Sequence, residues 1–199
     1  MVNLCPAADT RKEITAEDGE SVVCSDSEPT AAFVFKTISE EHVGELNVVR
    51  VFCGSLNTGK ELLNTAKDQS ERIGSMFFMR GLEKIDTSEI PCGDIGGLLK
   101  MKDTHTNDTL SDKSKKIRIP EVAFDEPLVN IAISAKSKGD EDKVSTGLKR
   151  LQEEDPTFSY KYHADIHQSI LSARGDIHIS IILDNYPHRG IQVIPSKDM

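Results

Sequence analysis

The alternation of apolar and polar residues divides the chain into a strand-rich first part and a mixed second part. Between residues 31 and 119, short apolar runs of about five residues alternate with turns that contain glycine. Six strands are predicted on this pattern: 31–38, 46–52, 61–64, 73–79, 95–101 and 116–119. Glycines at such intervals allow positive φ in turns and bulges where a sheet curls. The pattern therefore predicts a small closed β-barrel.

The pattern changes after residue 127. A strand is predicted over 128–134, followed by a helix whose apolar residues recur at helical spacing: Val144, Leu148 and Leu151. Asp140 is a suitable N-cap for this helix, and Pro156 ends it. Two further strands, 158–162 and 168–173, are separated by the distance expected of a hairpin.

The segment 177–183 has two interpretations. Its first five residues alternate as in a strand, but Ile177 and Ile181 also share one face of a helix. The alternation alone favours a strand. If the segment is a helix, Pro187 ends it and a last strand follows over 191–194, which gives the β-α-β-β-α-β order of a split ferredoxin-like domain.

Four segments follow from these patterns. Residues 1–29 are polar and acidic and are predicted to form a linker or a weakly held edge. Residues 30–119 form the barrel, 120–127 a second linker, and 128–195 the α+β ferredoxin-like domain. No apolar run approaches the roughly 20 residues of a membrane span and no leader-like segment begins the chain, so we expect a cytoplasmic protein without a membrane partner.

The charge is unevenly distributed. The net charge is −9, and residues 1–45 hold ten acidic residues against three basic ones. Residues 100–118 instead carry six basic and three acidic residues. This local excess is compatible with a surface that binds phosphate, and equally with a solvated lysine-rich loop. The four cysteines show no Cys-x-x-Cys pair and are predicted to be reduced thiols.

Residues 54–61 read Gly-Ser-Leu-Asn-Thr-Gly-Lys-Glu, one residue short of the phosphate-binding loop Gly-x-x-x-x-Gly-Lys-[Ser/Thr]. Glu61 replaces the hydroxyl that would bind magnesium and places a carboxylate beside the phosphates. The apolar stretch after it is too short for the helix that such a loop requires. We interpret the segment as a hairpin turn; a nucleotide-binding enzyme that uses this loop is the alternative.

Several motifs, in the same order, resemble the second and third domains of elongation factor G and related translational GTPases. In the first part these are residues 32–36, 43–46, 50–56, 93–95, 99–104 and 106–110. In the second part, Glu153-Glu154-Asp155-Pro156-Thr157-Phe158 and Gly175-Asp176-Ile177-His178-Ile179 resemble the third-domain motifs of that family. The resemblance extends from about residue 30 to residue 194 and implies a helix after Gly175, against the alternation described above.

This resemblance implies a barrel of the translation-factor domain II type followed by a ferredoxin-like domain III. The barrel would bind small-subunit ribosomal RNA and protein, and domain III would lie between the ribosomal subunits and relay the nucleotide state during translocation. GTP and magnesium would belong to a nucleotide-binding domain before residue 1, and further C-terminal domains would follow residue 199. The fragment itself would hold no cofactor or metal and would not be an enzyme, whereas its parent would be a GTPase.

Some positions depart from the family pattern. Asp176 stands where the family has Glu, residues 184–190 break a charged helix, and Asn107 replaces a turn glycine, which a residue tolerant of positive φ can do. These departures favour a divergent paralogue over the housekeeping factor. A ribosomal protection protein or a release factor is a weaker fit, and a module that binds a protein partner at the ferredoxin-like sheet is a further alternative.

Seven residues are candidates for contact with the ribosome: Arg50, Lys60, Lys67, Arg72, Arg80, Arg174 and His178. The first five lie near strand ends and turns of the predicted barrel, where barrel folds contact a phosphate backbone; taken individually, each is more typical of a solvated side chain. Arg174 suits phosphate or is a surface arginine without a partner. His178 is either packed or faces RNA. A metal site at His163 and His167 is disfavoured because the hairpin would place them at opposite ends of a turn.

Overall fold

The computed structural model describes residues 6–10, 13–40, 44–81, 83–137, 139–185 and 193–195. The chain divides into two compact units between Val122 and Ala123. No helix in these described ranges has the length and apolarity needed to cross a bilayer.

The described part of the first unit consists of strands and one 3-10 turn, Ala8–Thr10. Its strands are β1 (Glu13–Thr15), β2 (Ser21–Val23), β3 (Ala31–Glu40), β4 (Gly44–Cys53), β5 (Leu56–Asn57), β6 (Glu61–Asn64), β7 (Gln69–Arg72), β8 (Ser75–Arg80), β9 (Glu83–Thr87), β10 (Glu89–Ile90), β11 (Ile95–Leu99) and β12 (Thr109–Ser111). Eight of them form an antiparallel sheet in the order β7-β6-β12-β3-β4-β11-β8-β9. The pairs β1-β2 and β5-β10 form two small additional sheets.

The eight-stranded sheet curls around a single apolar core. Leu62 in β6 and Met76 in β8 belong to the same buried cluster, although four strands lie between β6 and β8 in the sheet. In a flat sheet these two strands would be roughly 24 Å apart, since neighbouring strands are spaced by about 4.8 Å. The predicted barrel-like architecture is therefore confirmed.

Two glycines in β11 leave space for large side chains that pack over the strand. A Cβ on Gly97 would lie 2.4 Å from Cζ of Phe77 and 2.9 Å from Cδ1 of Leu46, both of which are fully buried. A Cβ on Gly96 would lie 2.3 Å from Cδ1 of Ile90. Larger side chains at these positions would push the facing residues out of the core.

The first segment and the segment 116–119 differ from the predictions. Residues 1–29 were predicted as a linker or weakly held edge, but β1 and β2 form a hairpin in which Ala16 and Val22 are buried. The predicted strand 116–119 does not form. Its Ile117 and Ile119 are buried against the same hairpin, and their N–H groups donate to side-chain hydroxyls of Ser111 and Thr109 rather than to a strand. Both predictions failed for the same reason: the apolar residues of each segment are buried against those of the other.

The second unit contains β13 (Val129–Ala135), α1 (Glu141–Glu154), β14 (Ser159–His163), β15 (Gln168–Ala173), α2 (Asp176–Asn185) and β16 (Val193–Pro195). Its antiparallel sheet has the order β14-β15-β13-β16. The apolar sides of both helices pack with Leu171 and Ala173 of β15 in one core. This β-α-β-β-α-β arrangement confirms the predicted ferredoxin-like domain.

The helices show which local signals were reliable. In α1, Val144, Leu148 and Leu151 are buried as predicted, whereas the Asp140 carboxylate at the N-cap position binds Lys143 and does not cap the helix. The strand that alternation favoured over 177–183 is wrong, and the helix implied by the resemblance is right. The alternation did not reflect burial, because Ile177 and Ile181 are exposed whereas Ile179 and Ile182 are buried, three positions apart as on one face of a helix. Ile191, Gly190 and Pro187 lie outside the described residues.

We predict that Gly97→Ala lowers the free energy of unfolding of the first unit by about 1–3 kcal/mol, because the added methyl group overlaps Phe77. Gly74→Ala is the matched control, since its Cβ would be 3.8 Å from the nearest atom, the Leu99 carbonyl oxygen. Urea unfolding followed by circular dichroism measures both. Equal free energies of unfolding of the two variants would show that the space between Gly97 and Phe77 does not limit the stability of the first unit.

Candidate functional site

The structure brings three of the seven candidate residues together on one hairpin. Lys60 immediately precedes β6, Lys67 lies in the turn between β6 and β7, and Arg72 ends β7. Arg50 and Arg80 lie elsewhere in the first unit. Arg174 and His178 lie in the second unit around the start of α2.

The outer part of this hairpin carries exposed ion pairs. The Lys113 ammonium lies 2.8 Å from Glu61, and Arg72 faces Glu61 across the β6–β7 ladder. A hydrogen bond from Lys113, its charge and the charge of Arg72 lower the pKa of the Glu61 carboxyl. Lys116 pairs with Asp68 at 2.9 Å. We call Lys60, Arg72, Lys113 and Lys116 the hairpin surface.

Replacing the carboxylate partners of these cations costs little free energy. Exposed ion pairs contribute little to stability, so a phosphate can replace a carboxylate with small cost. Lys60 is held more firmly than the rest, because it donates to the Thr30 hydroxyl at 2.8 Å and pairs with Asp112 at 3.3 Å. The hairpin surface is thus the candidate site for a polyanion in the first unit.

Lys67 is part of a structural network. Its ammonium donates to the carbonyl oxygen of Asp103 at 2.7 Å and pairs with the carboxylates of Asp103 and Asp108 at 3.1 and 3.4 Å. The Asp108 side chain is 9% exposed and also accepts from Asn64 Nδ2 and from the N–H of His105, both at 2.8 Å. These bonds tie the β6–β7 turn to residues 100–108, which we call the 100–108 loop.

A second buried carboxylate fixes the other side of the 100–108 loop. Glu71, which is 2% exposed, accepts the N–H groups of Lys102 at 3.2 Å and Asp103 at 2.8 Å, and the hydroxyl of Thr104 at 3.2 Å. Asn107 adopts φ 78°, as expected for a residue that replaces a turn glycine. The 100–108 loop is therefore held to β7 and to the β6–β7 turn along most of its length.

The positive charge that follows this loop meets acidic residues from the start of the chain. Lys115 pairs with Glu20 at 3.3 Å, and Nε of Arg118 pairs with Glu17 at 3.1 Å. Arg118 also pairs with Glu121 at 2.6 Å. The acidic and basic segments that are separate in the sequence thus partly neutralise each other in the fold.

Residues 54–61 form turns and no phosphate cradle. Four of the N–H groups that would face phosphates already donate to carbonyl oxygens: Gly54 to Ser25, Thr58 to Ser88, Gly59 to Ile73 and Lys60 to Asn57. The segment leads into β6 and not into a helix. The turn interpretation is supported, but the expected hairpin is wrong, because β6 pairs with β7 and β12 and not with β4. The four donors are not free to bind a nucleotide.

Arg50 and Arg80 occupy different environments. Arg80 is exposed at the β8–β9 turn, where it pairs in register with Glu83. The Arg50 guanidinium lies 5.2 Å from the centroid of the Phe52 ring and lines a cavity of about 130 Å³. Its Nε is buried and has no hydrogen-bond partner within the described chain.

In the second unit, His178 joins the end of α1 to the start of α2. Its Nε2 lies 3.1 Å from the Asp155 carboxylate, its Nδ1 faces the N–H of Arg174 at 3.4 Å, and its ring makes an edge contact with Phe158. His178 is therefore packed within its own unit, and contact with RNA stays a prediction. Arg174 pairs with the carboxylate of Asp125, so it is not a surface arginine without a partner.

The Asp155 carboxylate is the acceptor at the centre of this junction. Its Oδ1 accepts the N–H of Thr157 at 2.9 Å and the hydroxyl of Thr157 at 2.5 Å. Burial raises the pKa of Asp155, but the hydrogen bonds from Thr157 and His178 outweigh burial, and the pKa lies below its ordinary value. We call Asp155, Thr157 and His178 the helix junction.

Sequence reasoning did not identify Asp103, Asp108, Glu71 or Asp155 as important residues. The signal available for Asp155 was the pattern Asp-x-Thr directly after a helix, in which an aspartate commonly accepts from the residue two positions on. The barrel carboxylates had little local signal, because the bonds from Asn64 to Asp108 and from the Asp103 N–H to Glu71 join residues more than thirty positions apart. In the described ranges, no group of three or more His, Cys, Asp or Glu side chains could hold a metal ion.

Comparison with known proteins supports the same two domains. A model of elongation factor G domain 2 matches residues 29–113, and a model of Elongation Factor G, domain III, matches residues 124–195. A crystal structure of a protein from Thermus thermophilus is similar with a TM-score of 0.79 and 22% sequence identity. The similarity covers 98% of this chain and 27% of that chain, so the chain spans about a quarter of the length of that protein.

A barrel-like domain followed by a ferredoxin-like domain, in this order and with these family matches, defines the central domain pair of a translation factor. The chain belongs to the elongation factor G family and comprises its domains II and III.

We predict that Lys67→Met lowers the free energy of unfolding of the first unit by about 1–3 kcal/mol, because it leaves the Asp108 carboxylate enclosed without its cation. Lys116→Met removes an exposed ion pair from the neighbouring surface and should cause no measurable loss. Urea unfolding followed by circular dichroism compares them. A similar small effect of both variants would mean that Lys67 is a solvated lysine.

We predict that Asp155→Asn destabilises the second unit at neutral pH and that the loss shrinks in acid. A carboxyl whose pKa is lower in the folded state stabilises the fold above its unfolded pKa of about 3.9, and this contribution disappears as the pH falls through the folded pKa. All three tyrosines are at positions 160, 162 and 186, so tyrosine fluorescence reports on this unit.

The control for this experiment is Asp165→Asn, which changes an exposed carboxyl in the β14–β15 turn and leaves the helix junction intact. Unfolding is measured at pH 7 and at pH 3. A loss for Asp155→Asn that is the same at both values contradicts the assignment.

Proposed function

We propose that these two domains dock an elongation factor G-like translation factor on the ribosome and relay its nucleotide state during translocation. The observation that carries the proposal is the match of both domains, in order, to domain II and domain III of elongation factor G. The partners are ribosomal RNA and protein of the small subunit, together with the parent's own nucleotide-binding and C-terminal domains. We place the protein in the cytoplasm, where translation factors act.

The barrel supports docking through the hairpin surface. Lys60 and Arg72 lie on the β6–β7 hairpin, and Lys113 and Lys116 follow β12 and pair with its Glu61 and Asp68. The exposed pairs of Lys113 and Lys116 hold their carboxylates weakly, which suits contact with a phosphate backbone. Arg80 provides a further exposed guanidinium at the β8–β9 turn. Lys67 supports this surface indirectly, because it fixes the turn that carries the hairpin.

The second unit supports a relay through the helix junction. Asp155 follows α1 directly, and His178 lies in the first turn of α2. A displacement of either helix end therefore changes the hydrogen bonds at the other. Arg174 extends the junction to Asp125 in the segment before β13. Such a chain of packed and hydrogen-bonded groups is suited to transmit a change in a neighbouring domain.

GTP and magnesium belong, in this proposal, to a nucleotide-binding domain of the parent protein. Four N–H groups of residues 54–61 are occupied, which argues against nucleotide binding by this loop. The parent would then be a GTPase that hydrolyses GTP in a domain separate from the two domains described above. The departures at Asp176 and residues 184–190 support a divergent paralogue.

We predict that the chain co-sediments with ribosomes at low salt and that Arg72→Gln/Lys113→Gln weakens binding by roughly five- to tenfold, since two phosphate contacts are lost. The control is Lys143→Gln/Lys149→Gln, which removes the same charge from the exposed side of α1. Binding is measured by sedimentation over a range of salt concentrations.

Two outcomes contradict the proposal in different ways. If the unchanged chain remains in the supernatant at low salt, docking by these domains fails. If both double variants weaken binding equally, binding follows net charge alone and the hairpin surface is not the contact.

A further inference from the structure

Two thiols meet where the β1–β2 hairpin joins the barrel. Cys24 follows β2 directly, and Cys92 lies in the turn between β10 and β11. Their Sγ atoms are 2.9 Å apart, although 68 positions separate them in the sequence. A disulfide bond is about 2.05 Å long, so the sulfur atoms need to approach by only about 0.9 Å.

Backbone hydrogen bonds hold both segments in place independently of the sulfur atoms. The N–H of Cys92 donates to Oδ1 of Asp26 at 3.0 Å, and the N–H of Gly54 donates to the Ser25 carbonyl at 2.9 Å. Gly93 has φ 87°, and its N–H donates to the Val51 carbonyl at 2.8 Å. The two thiols therefore meet in an already ordered region.

A small cavity gives access to one of the two sulfur atoms. Cys24 lines the cavity of about 130 Å³ that also contains Arg50 and Gly93 in its wall. A water molecule takes about 30 Å³ of liquid volume, so a small peroxide fits.

We infer that Cys24 and Cys92 are a redox-responsive modification site that closes to an intramolecular disulfide with a small peroxide as oxidant. The Cys24 sulfur attacks one oxygen of hydrogen peroxide, the O–O bond breaks, and the second oxygen leaves as water. The Cys92 sulfur then attacks the resulting sulfenic acid, the S–O bond breaks, and a second water leaves. Two thiols lose two electrons and two protons in total, and one peroxide becomes two waters.

The environments of the cysteines assign their roles. Burial, aided by the hydrogen bond with Cys24, raises the pKa of Cys92 to about 12, and its thiol donates to the Phe52 carbonyl at 3.2 Å. A raised pKa disfavours the thiolate, so Cys92 is not the thiol that attacks peroxide; its part in the second step rests on its Sγ lying 2.9 Å from that of Cys24. Cys53 is buried, donates to the Pro29 carbonyl at 2.9 Å, and has its pKa raised by burial to about 11. It is the natural unreactive control.

The disulfide would fasten the acidic hairpin to the barrel. Closing a loop from residue 24 to residue 92 restricts the unfolded chain, so oxidation should raise the melting temperature of the first unit by on the order of 10 °C. Reduction by a small thiol would reverse the change.

The test treats the full 199-residue chain with hydrogen peroxide, blocks free thiols with N-ethylmaleimide and maps the peptides by mass spectrometry. We expect a linked Cys24–Cys92 peptide, lighter by two hydrogen atoms than the two separate peptides, that disappears on reduction. Cys53→Ser should give the same product, and Cys24→Ser should not. Melting of the oxidised and reduced chains is followed by circular dichroism.

The peptide map of the unchanged chain decides the matter even if a variant fails to fold. The inference is overturned if, after peroxide treatment, Cys24 and Cys92 are both still free thiols that react with N-ethylmaleimide. It is equally overturned if Cys24 proceeds to the sulfinic acid while Cys92 stays a thiol, or if the bridge involves Cys5 or Cys53.

Discussion

The curl of the eight-stranded sheet is the constraint on which the rest of the first unit depends. Within β11, Gly96 leaves the space that Ile90 fills in the barrel core, and Gly97 leaves the space that Phe77 fills in a separate cluster with Leu46 and Val48. The bend brings distant segments together, including the hairpin surface, the 100–108 loop and the two facing cysteines. Each of these features joins segments that are distant in the sequence, so no local sequence pattern predicts it.

This origin explains which parts could be predicted from the sequence. Strands such as β3 and β6 were predictable as short apolar runs bounded by turn residues, although consecutive residues of both are buried and their burial does not alternate. The order β-α-β-β-α-β was predictable once α2 was recognised. That recognition came from the family resemblance, because the alternation within residues 177–183 favoured a strand. The hairpin β1–β2 was not predictable, because its two buried residues gain their cover from Ile117 and Ile119.

The candidate site was predictable only as a set of residue types. Positive residues at turns pointed to a surface for phosphate, but their roles depend on partners elsewhere in the chain. Lys67 is bound to the 100–108 loop, Arg174 to Asp125, and His178 to Asp155. Spacing cannot reveal such partners, since the chain connecting them is long and the fold decides which of them meet. The distinction between a structural cation and a binding cation is therefore visible only in three dimensions.

The pairing of Glu17 and Glu20 with Arg118 and Lys115 has a consequence for recognition. These carboxylates act as an internal competitor, occupying cations that a polyanion would otherwise reach. A relative whose chain lacks this acidic hairpin would expose those cations and retain nucleic acid at higher ionic strength, with less discrimination between targets. In the docking proposed above, pairing with these acidic residues would make Lys115 and Arg118 less available to a polyanion than the hairpin surface.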